Sequence, residues 1–229
     1  MKLKYNPIRF LRKVFFPATK PDEVISKAHI KSILPAKPIV FEAGAHIGVD
    51  TLEMSRLWPD ATIYAFEPVP HIFKKLQRNT RNCKNVKCIP VALGDKNGKL
   101  PMFVSSGRSD GSSSLLKPKY HLEEHPDVLF EETIEVDVFT IDSWCEKNNI
   151  SKVDFMWLDM QGFEMSTLKA SPNILKNITA IHSEVNTKPN YENTALYPEF
   201  KNWMESVGFR VDIEDIPWNS GGNVLFVRI

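Results

Sequence analysis

The sequence predicts an α/β fold built on one doubly wound, mostly parallel sheet with helices on both faces. Three observations support this prediction: short apolar runs alternate with helical segments, the first run enters a glycine loop, and acidic residues follow several runs. Parallel strands need crossover connections, so regular alternation of strands and helices is typical of a parallel sheet. The 229 residues suit one such domain.

The first half of the chain alternates between helical and strand patterns. Pro35 and Pro38 end a helix with an apolar side and lead into the first strand, because proline cannot continue a helix. A turn rich in glycine and polar residues at 94–98 closes the third strand. The predicted elements are a helix at 21–34, a strand at 39–41, a helix at 49–57, a strand at 62–66, a helix at 71–79 and a strand at 86–93.

The regular alternation stops after the third strand. Two additional strands are predicted at 100–104 and 133–139, which indicates a hairpin or loop insertion at this point. The polar loop 105–114 lies between them. Long loops in compact domains are either functional or flexible, and we expect this one to cover a pocket and touch substrate, with flexibility as the alternative.

The last third of the chain returns to alternation and then ends in a strand pair. Asp142 stands near the start of a helix, and we interpret it as an acid favoured by the helix dipole. A closing strand pair is not typical of dehydrogenases. The predicted elements are a helix at 141–148, a strand at 153–158, a helix that stops near 171–172, a strand at 178–185, a helix at 199–207, and strands at 208–213 and 223–229.

Composition excludes several classes of protein. Lys and Arg number 29 against 28 Asp and Glu, so the total charge gives no reason to expect nucleic acid as a partner. No apolar run is long enough to span a bilayer, and the start of the chain lacks the apolar core of a secretory signal. The three cysteines form no zinc motif, so we expect reduced thiols, no metal site and a cytoplasmic protein.

A basic leader opens the chain. Residues 1–20 carry six Lys or Arg and no acid, with apolar residues between them. Such a segment either contacts the anionic inner surface of a membrane peripherally or is a solvated leader, and both interpretations stay open. We predict a leader and helix at 1–37 and one domain at 38–229. The sequence indicates no particular oligomeric state.

A nucleoside pocket is predicted where the first strand ends. The apolar run leads to Glu42 and then to a loop that contains Gly44 and Gly48, and a second apolar run ends on Glu67. Glycines let the backbone approach a ligand closely, and the second carboxylate stands where ribose hydroxyls need acceptors. The alternative interpretation is a tight strand-to-helix turn without a ligand.

The glycine spacing separates the candidate cofactors. A dinucleotide loop needs Gly-x-Gly-x-x-Gly, whereas this loop offers only Gly44 and Gly48. Glu42 would repel a phosphate but would attract the amino group of a sulfonium-bearing amino acid. The loop therefore favours S-adenosylmethionine. A nicotinamide-dependent oxidoreductase is the alternative, and it would need the missing glycine.

Several segments match one known family in order along the chain. The Asp-x-x-Gly-x-Glu block at 159–164, directly after a strand, is the most specific of them. The other matching segments are 41–48, 65–68, 91–98, 112–115, 138–142, 153–155 and 182–185. On these segments, residues 38–229 resemble the FkbM-type methyltransferases, a family of S-adenosylmethionine-dependent O-methyltransferases. The chain departs from the family pattern at Trp157 in place of lysine, His46 in place of asparagine and Gln161 in place of a common glutamate.

The resemblance implies a fold, a cofactor and a set of binding residues. The fold would be a Rossmann-like, doubly wound seven-stranded methyltransferase sheet whose last strand is antiparallel. The cofactor would be S-adenosyl-L-methionine, with S-adenosyl-L-homocysteine as product; the glycine loop would hold its methionine end, Glu67 its ribose and Ala92 its adenine. The implied cofactor-binding residues are Glu42, Gly44, Ala45, His46, Gly48, Glu67, Pro68, Ala92, Asp159 and Met160.

Methyl transfer to a hydroxyl also needs a base or a metal near the acceptor. Asp159 and Glu184 follow the fourth and fifth strands, whose carboxyl ends share one edge if the strands are neighbours. We expect Asp159 to be the base or to orient it, with Glu184 second. His182 is third, because alternation places it on the same side of its strand as Glu184.

Each of these three residues also has a structural interpretation. Asp159 would cap the next helix or hold the cofactor, Glu184 would accept from loop amides, and His182 would be a hydrogen-bonded core histidine. The oxygen atoms of Asp159, Glu184 and Asn186 would suit Mg²⁺, which is the less favoured alternative.

The expected function is S-adenosylmethionine-dependent O-methylation of a hydroxyl on a sugar or glycan intermediate. A polyketide or lipid hydroxyl is the alternative acceptor. A non-catalytic module that binds the cofactor without turnover is the alternative from a different functional class.

Overall fold

A seven-stranded sheet forms the centre of the structure, a computed structural model that describes residues 24–229. The basic leader predicted at 1–20 and the start of the helix predicted at 21–34 lie outside the described residues. Among residues 24–229, no helix combines the length and the apolar character needed to cross a bilayer.

The strands and helices follow one another much as the sequence predicts. The strands are β1 (Ile39–Ala43), β2 (Thr62–Phe66), β3 (Val86–Ile89), β4 (Ala92–Leu93), β5 (Gly98–Gly107), β6 (Val128–Phe139), β7 (Phe155–Leu158), β8 (Ala180–Asn186), β9 (Phe209–Asp215) and β10 (Gly221–Arg228). The helices are α1 (Lys27–Ile33), α2 (Val49–Leu57), α3 (Pro70–Thr80), α4 (His121–Glu124), α5 (Ile141–Lys147), α6 (Glu164–Lys169), α7 (Pro172–Leu175) and α8 (Tyr197–Ser206).

The strand order of the main sheet is β3-β2-β1-β7-β8-β10-β9. β1 pairs in parallel with β2 and β7, and β7 pairs in parallel with β8, whereas β10 is antiparallel to both of its neighbours. The predicted fold class, a doubly wound sheet whose last strand is antiparallel, is therefore confirmed. The direction of winding reverses between β1 and β7, and open α/β sheets bind ligands at such a point.

The predicted third strand is two strands in different sheets. β3 pairs with β2 in the main sheet, whereas β4 pairs with β6 in a second sheet of order β4-β6-β5. Pro90 stands between them and has no N–H to donate to a ladder, so the chain leaves the main sheet there. The prediction of one strand at 86–93 is wrong for this reason.

The predicted insertion forms the second sheet. β5 and β6 pair antiparallel over most of their length, and the register shifts between Val104 and Ser106. Both strands are longer than predicted, because their outer residues alternate between half-buried and exposed positions rather than forming a clear apolar run. This sheet carries the polar loop toward the carboxyl edge of the main sheet.

Both faces of the main sheet are covered by apolar side chains, as a doubly wound sheet requires. On one face Phe41, Phe66 and Trp144 pack with ring centroids 4.8–5.3 Å apart. On the other face Val40 and Phe155 belong to a cluster that also includes residues of α1 and α2. Neighbouring residues of β1 thus point to opposite faces, which is the period-two alternation of a strand.

Asp142 contacts a helix other than its own. It lies in the first turn of α5, as predicted, but its carboxylate accepts hydrogen bonds from the backbone N–H groups of Asn173 (2.9 Å) and Ile174 (2.8 Å). Those groups lie in the first turn of α7 and have no partner within that helix. Asp142 therefore joins α5 to α7 across the face of the sheet.

Replacing Asp142 by alanine is expected to lower the free energy of unfolding by about 1–2 kcal/mol, because two backbone donors lose their acceptor. Urea unfolding monitored by circular dichroism measures this change. Asp137→Ala, at an exposed position of β6, is the matched control and should cost less than about 0.5 kcal/mol. Equal costs for the two variants would contradict the assigned role of Asp142.

Candidate active site

A cleft of about 580 Å³ opens beside the switch point between β1 and β7, at the carboxyl edge of the main sheet. The walls come from the ends of β1, β2 and β7, from β4 and β5, and from the polar loop. The lining residues are Ala43, Gly44, His46, Phe66, Glu67, Pro68, Val69, Val91, Ala92, Leu93, Met102, Asp110, Gly111, Ser113, Leu115, Asp159, Met160 and Phe163.

Gly44 brings two strand ends into close contact. It has a φ of +82°, and a Cβ at this position would lie 1.8 Å from the carbonyl oxygen of Asp159. The N–H groups of Gly44 and Ala45 both donate to the carbonyl of Phe66, at 3.1 and 3.0 Å. The turn after β1 is thereby held against the ends of β2 and β7, and only glycine fits there. Gly48, with a φ of +85°, then precedes α2 as its N-cap.

Glu67 is held at the floor of the cleft by two backbone donors. Its Oε2 accepts from the N–H of His46 (3.0 Å) and its Oε1 from the N–H of Val69 (2.8 Å). Burial raises the pKa of Glu67 to about 7, and the two amides act in the opposite direction. The carboxylate retains lone pairs that can accept from hydroxyl groups of a ligand.

The polar loop forms one wall of the cleft, as expected. Asp110 of this loop lies 2.8 Å from Nε2 of His46 and accepts from Lys75 at 2.9 Å. Burial acts to raise the pKa of Asp110, but the hydrogen bonds from Lys75 and His46 outweigh it and the pKa is lowered. The loop is thus fastened across the cleft to α3 and to the glycine turn. Its contact with a substrate stays a prediction.

Asp159 and Glu184 are joined by one amide. β7 and β8 are neighbours, as the assignment of these acids to one edge required. Nε2 of Gln161 donates to Oδ1 of Asp159 (2.7 Å) and to Oε2 of Glu184 (2.8 Å). Asp159 is exposed to the cleft, and limited hydration still raises its pKa; the pKa of Glu184 is raised well above its ordinary value by burial and then by Asp159. A pair of this kind holds protons more tightly than free carboxyl groups do.

Glu164 stabilises the turn that carries these residues. Its Oε1 accepts from the N–H of Met160 (2.7 Å) and of Gly162 (3.3 Å). Burial raises the pKa of Glu164 to about 7. These contacts give Glu164 a structural role.

His182 lies away from the cleft. Its ring stacks on Trp157 with centroids 3.6 Å apart, and neither residue lines the cavity. Burial and then the nearby ammonium of Lys27 lower the pKa of His182 to about 3. The ammonium of Lys27 lies over the ring of Trp157, 4.4 Å from its centroid. The geometry is that of a core histidine; its catalytic role stays a prediction.

Glu42 is buried behind the glycine turn rather than exposed in the cleft. It is 2% exposed and accepts from Oγ1 of Thr51 at 2.5 Å. Burial, followed by the charge of Asp50, raises the pKa of Glu42 to about 8. Glu42 alternates with Phe41 and Ala43 along β1, so its side chain faces α2.

The structure brings most of the predicted residues together. Of the predicted cofactor-binding set, seven residues line the cleft: Gly44, His46, Glu67, Pro68, Ala92, Asp159 and Met160. Glu42, Ala45 and Gly48 lie behind that surface and shape the turn. Their roles toward a cofactor remain predictions.

The sequence interpretation missed two contributors that the fold supplies. Tyr191 reaches the acid pair through Gln161 from a loop after β8, and Lys75 reaches Asp110 from α3. The polar composition of the loop was a signal for Asp110. No local pattern marks Tyr191, because its partners are 30 and 79 residues away along the chain.

Comparison with known proteins identifies one family. A model described as the methyltransferase FkbM domain matches residues 42–211. The chain is 28% identical over 160 residues to the 2-O-methyltransferase NoeI of Sinorhizobium fredii, a match that covers 68% of this chain and 66% of that protein, just under two thirds of its length. It is 26% identical over 226 residues to Methyltransferase 1 of Beauveria bassiana, covering 92% of this chain and 84% of that protein.

Solved structures share the fold. The fibrillarin pre-rRNA processing protein of Methanococcus jannaschii superposes with a TM-score of 0.51 at 15% identity, covering 86% of this chain and 69% of that chain. A chain of a fibrillarin/Nop5p complex gives a TM-score of 0.50 at 17% identity, covering 86% of this chain and 75% of that chain. At these identities the similarity concerns the fold alone.

Replacing Gly44 by alanine is expected to lower the free energy of unfolding by more than its positive φ alone would explain. Gly208→Ala is the matched control, because Gly208 has a φ of +88° and its added Cβ would lie 3.4 Å from the flexible end of Arg228. The control should cost roughly 1–2 kcal/mol, and Gly44→Ala at least about 2 kcal/mol more, since the carbonyl of Asp159 must move. Urea unfolding measures both costs. Equal losses would show that the contact of the strand ends is not tight.

Replacing Glu42 by glutamine is expected to stabilise the protein increasingly as pH rises. Folding raises the pKa of Glu42 from 4.5 to about 8, so the cost of burying it is absent below pH 4.5 and grows until pH 8. One pH unit in this window corresponds to about 1.4 kcal/mol. We therefore expect the stability of Glu42→Gln relative to wild type to increase by roughly 2–3 kcal/mol between pH 5 and pH 7.5.

Denaturant unfolding at both pH values measures this difference. Glu123→Gln on α4 is the control, because its solvated side chain carries no burial cost. A difference between wild type and Glu42→Gln that stays constant with pH would contradict a buried, protonated Glu42.

Proposed function

The chain belongs to the FkbM methyltransferase family, and we propose that it is an S-adenosylmethionine-dependent O-methyltransferase acting on a hydroxyl of a sugar or glycan intermediate. The single observation that carries the proposal is the position of Asp159, which lines the cleft and is joined to Glu184 through one amide. The name of NoeI, a 2-O-methyltransferase, supports oxygen as the methylated atom.

The residues of the cleft suit this cofactor. Glu67 offers carboxylate oxygens to ribose hydroxyls, and the apolar surface around Ala92 suits an adenine ring. Gly44 lets the end of β1 lie against the carbonyl of Asp159, and the methionine end would lie between that turn, His46 and Asp159. When bound, S-adenosylmethionine supplies an electrophilic methyl carbon.

The protein supplies alignment and a proton acceptor. A sugar hydroxyl is a poor nucleophile at neutral pH, so its proton must be taken as its oxygen reacts. Asp159 takes that proton in the proposed reaction, and Glu184 shares its charge through Gln161. His182 remains the third candidate, behind the two carboxylates, because it stacks in the core and its pKa is lowered.

Mg²⁺ is left out of the proposed reaction. Over residues 24–229, no group of three or more His, Cys, Asp or Glu side chains is arranged to hold a metal ion. Nε2 of Gln161 already donates to Oδ1 of Asp159 and Oε2 of Glu184. The side-chain oxygen of Asn186 accepts instead from Asn190 at 2.8 Å.

Alternatives to this proposal concern the acceptor and turnover. A polyketide or lipid hydroxyl is the alternative acceptor, and a cofactor-binding module without turnover is the alternative activity. The cytoplasmic location, the absence of a nucleic-acid partner and the peripheral membrane contact through residues 1–20 stay predictions, as does the domain boundary at 37/38.

Binding and transfer test the proposal together. Calorimetry should show saturable binding of S-adenosylhomocysteine, and radiolabelled S-adenosylmethionine should label an acceptor from a panel of glycans and other hydroxyl compounds. Asp159→Asn should lower kcat at least about 100-fold, which is the low end for loss of a general base. Its Kd for S-adenosylhomocysteine should change by less than a few-fold, and Asp60→Asn in an exposed turn should leave both quantities unchanged.

Each contrary outcome has a defined meaning. Full activity of Asp159→Asn would remove this residue from the mechanism. Absence of binding heat, together with a melting temperature that rises with NAD, would favour an oxidoreductase. Cofactor binding without transfer to any acceptor would favour the non-catalytic module.

A further inference from the structure

Gln161 contacts both carboxylates of the candidate active site. It follows Asp159 in the turn after β7, and it does not line the cleft. Its amide nitrogen lies 2.7 Å from Oδ1 of Asp159 and 2.8 Å from Oε2 of Glu184. A primary amide has two N–H donors, so one side chain satisfies one oxygen of each carboxyl group.

The amide has one orientation that satisfies its neighbours. If oxygen and nitrogen were exchanged, the amide oxygen would face oxygen atoms of both Asp159 and Glu184, and each acid would need its own proton. In the observed orientation Oε1 of Gln161 faces the hydroxyl of Tyr191, which donates to it at 2.9 Å. A hydroxyl donor on one side and carboxylate acceptors on the other select the same orientation.

Tyr191 is a rigid partner for this amide. It is 1% exposed, its ring lies 5.6 Å from that of His121, and its hydroxyl also contacts the carbonyl of Ser112 at 2.8 Å. The hydroxyl has one proton, which Oε1 of Gln161 and the Ser112 carbonyl share as acceptors. Through Ser112, the polar loop is joined to the same contact.

The backbone at Gln161 is also held in an uncommon conformation. Its φ is +54°, and the next residue, Gly162, has a φ of +96°. The hydroxyl of the fully buried Ser114 donates to the carbonyl of Gln161 at 2.9 Å. Left-handed conformations at non-glycine residues persist where the surroundings fix them, and they occur preferentially at functional sites.

We propose that Gln161 is a positioning residue of this methyltransferase: Tyr191 fixes the orientation of its amide, and the amide holds Asp159 and Glu184 together as a charged pair that accepts the acceptor's proton. The proposal rests on the proposed function, in which Asp159 takes the acceptor's proton and Glu184 shares its charge through Gln161. It assigns Gln161 no contact with substrate.

The charges around the pair set the direction of the effect. Glu164 of α6 disfavours negative charge on Glu184. At Asp159, Asp50 of α2 disfavours negative charge and His46 favours it. The hydrogen bond from Gln161 lowers the pKa of Asp159 against the larger effect of its limited hydration in the cleft. Removal of the amide must therefore raise the pH at which the pair loses its proton.

Carboxyl titration tests the proposal in the full-length protein. Side-chain carboxyl ¹³C resonances of Asp and Glu are followed by NMR against pH, and Asp159→Asn and Glu184→Gln identify the two signals. Gln161→Met, which keeps the length of the side chain without a donor, should raise the apparent pKa of the pair by about one unit or more. Gln161→Glu should shift the pair in the same direction, because it adds an acid. Gln77→Glu, the same change at an exposed position of α3, should not shift it.

The role of Tyr191 is tested by a double-mutant cycle. Tyr191→Phe alone should raise the apparent pKa of the pair by a smaller amount, because the amide loses the contact that orients it. In the Gln161→Met background, Tyr191→Phe should add no further shift. Tyr197→Phe is the matched control, since the Tyr197 hydroxyl also contacts a carboxylate, that of Glu214, outside this site.

The two proposals can fail separately. With an active acceptor, the acid limb of the kcat profile should move to higher pH by the same amount as the titration, while the Kd for S-adenosylhomocysteine stays within a few-fold. If no acceptor is methylated, the proposed function fails and the NMR titration still tests the amide. An unchanged apparent pKa in Gln161→Met and Gln161→Glu would overturn the role of Gln161. If the pKa shifts of Gln161→Met and Tyr191→Phe were additive in the double mutant, the proposal that Tyr191 orients the amide of Gln161 would be wrong.

Discussion

The contact between Gly44 and the carbonyl of Asp159 is the constraint on which the rest of the site depends. The ends of β1 and β7 approach so closely that a Cβ at Gly44 would lie 1.8 Å from that oxygen. The same turn is fastened to β2 by two N–H groups that share the carbonyl of Phe66. Because three strand ends meet there, Glu67 and Asp159 face one cleft although they lie far apart in sequence. A side chain at residue 44 would move the end of β1 away from Asp159.

Several carboxyl groups lie close together at the carboxyl edge of the main sheet. Some are buried behind the cleft and others face it. Glu164 accepts from backbone N–H groups and Glu42 from a hydroxyl, and both are buried away from the cleft, so they stabilise turns. Glu67 and Asp159 also accept hydrogen bonds, but each faces the cleft. Loss of hydration raises the pKa in every case, and the structure tolerates this cost where the acid either holds a turn or lines the cleft.

Local sequence patterns predicted the uninterrupted strands and helices. They did not predict contacts between segments that lie far apart along the chain. The bounds of β2 and α2 are as predicted, because β2 is a short apolar run and α2 lies between the turn at Gly48 and Pro59. The strand expected at 86–93 breaks at Pro90, where the missing N–H outweighs the apolar pattern. Loop residues near the cleft followed from polar composition, but the contact of Tyr191 with Gln161 joins segments 30 residues apart that have no shared pattern.

Trp157, where the family usually has lysine, bears on which group can act as the base. Its ring contacts both the ammonium of Lys27 and the ring of His182, and both neighbours are buried. Burial and the Lys27 charge lower the pKa of His182 to about 3, so at neutral pH this imidazole is uncharged and a weak proton acceptor. A general base works best when its pKa lies near the working pH. Asp159 lines the cleft and its pKa is raised, whereas His182 lies outside the cleft and its pKa is lowered, so Asp159 is the stronger candidate for the base.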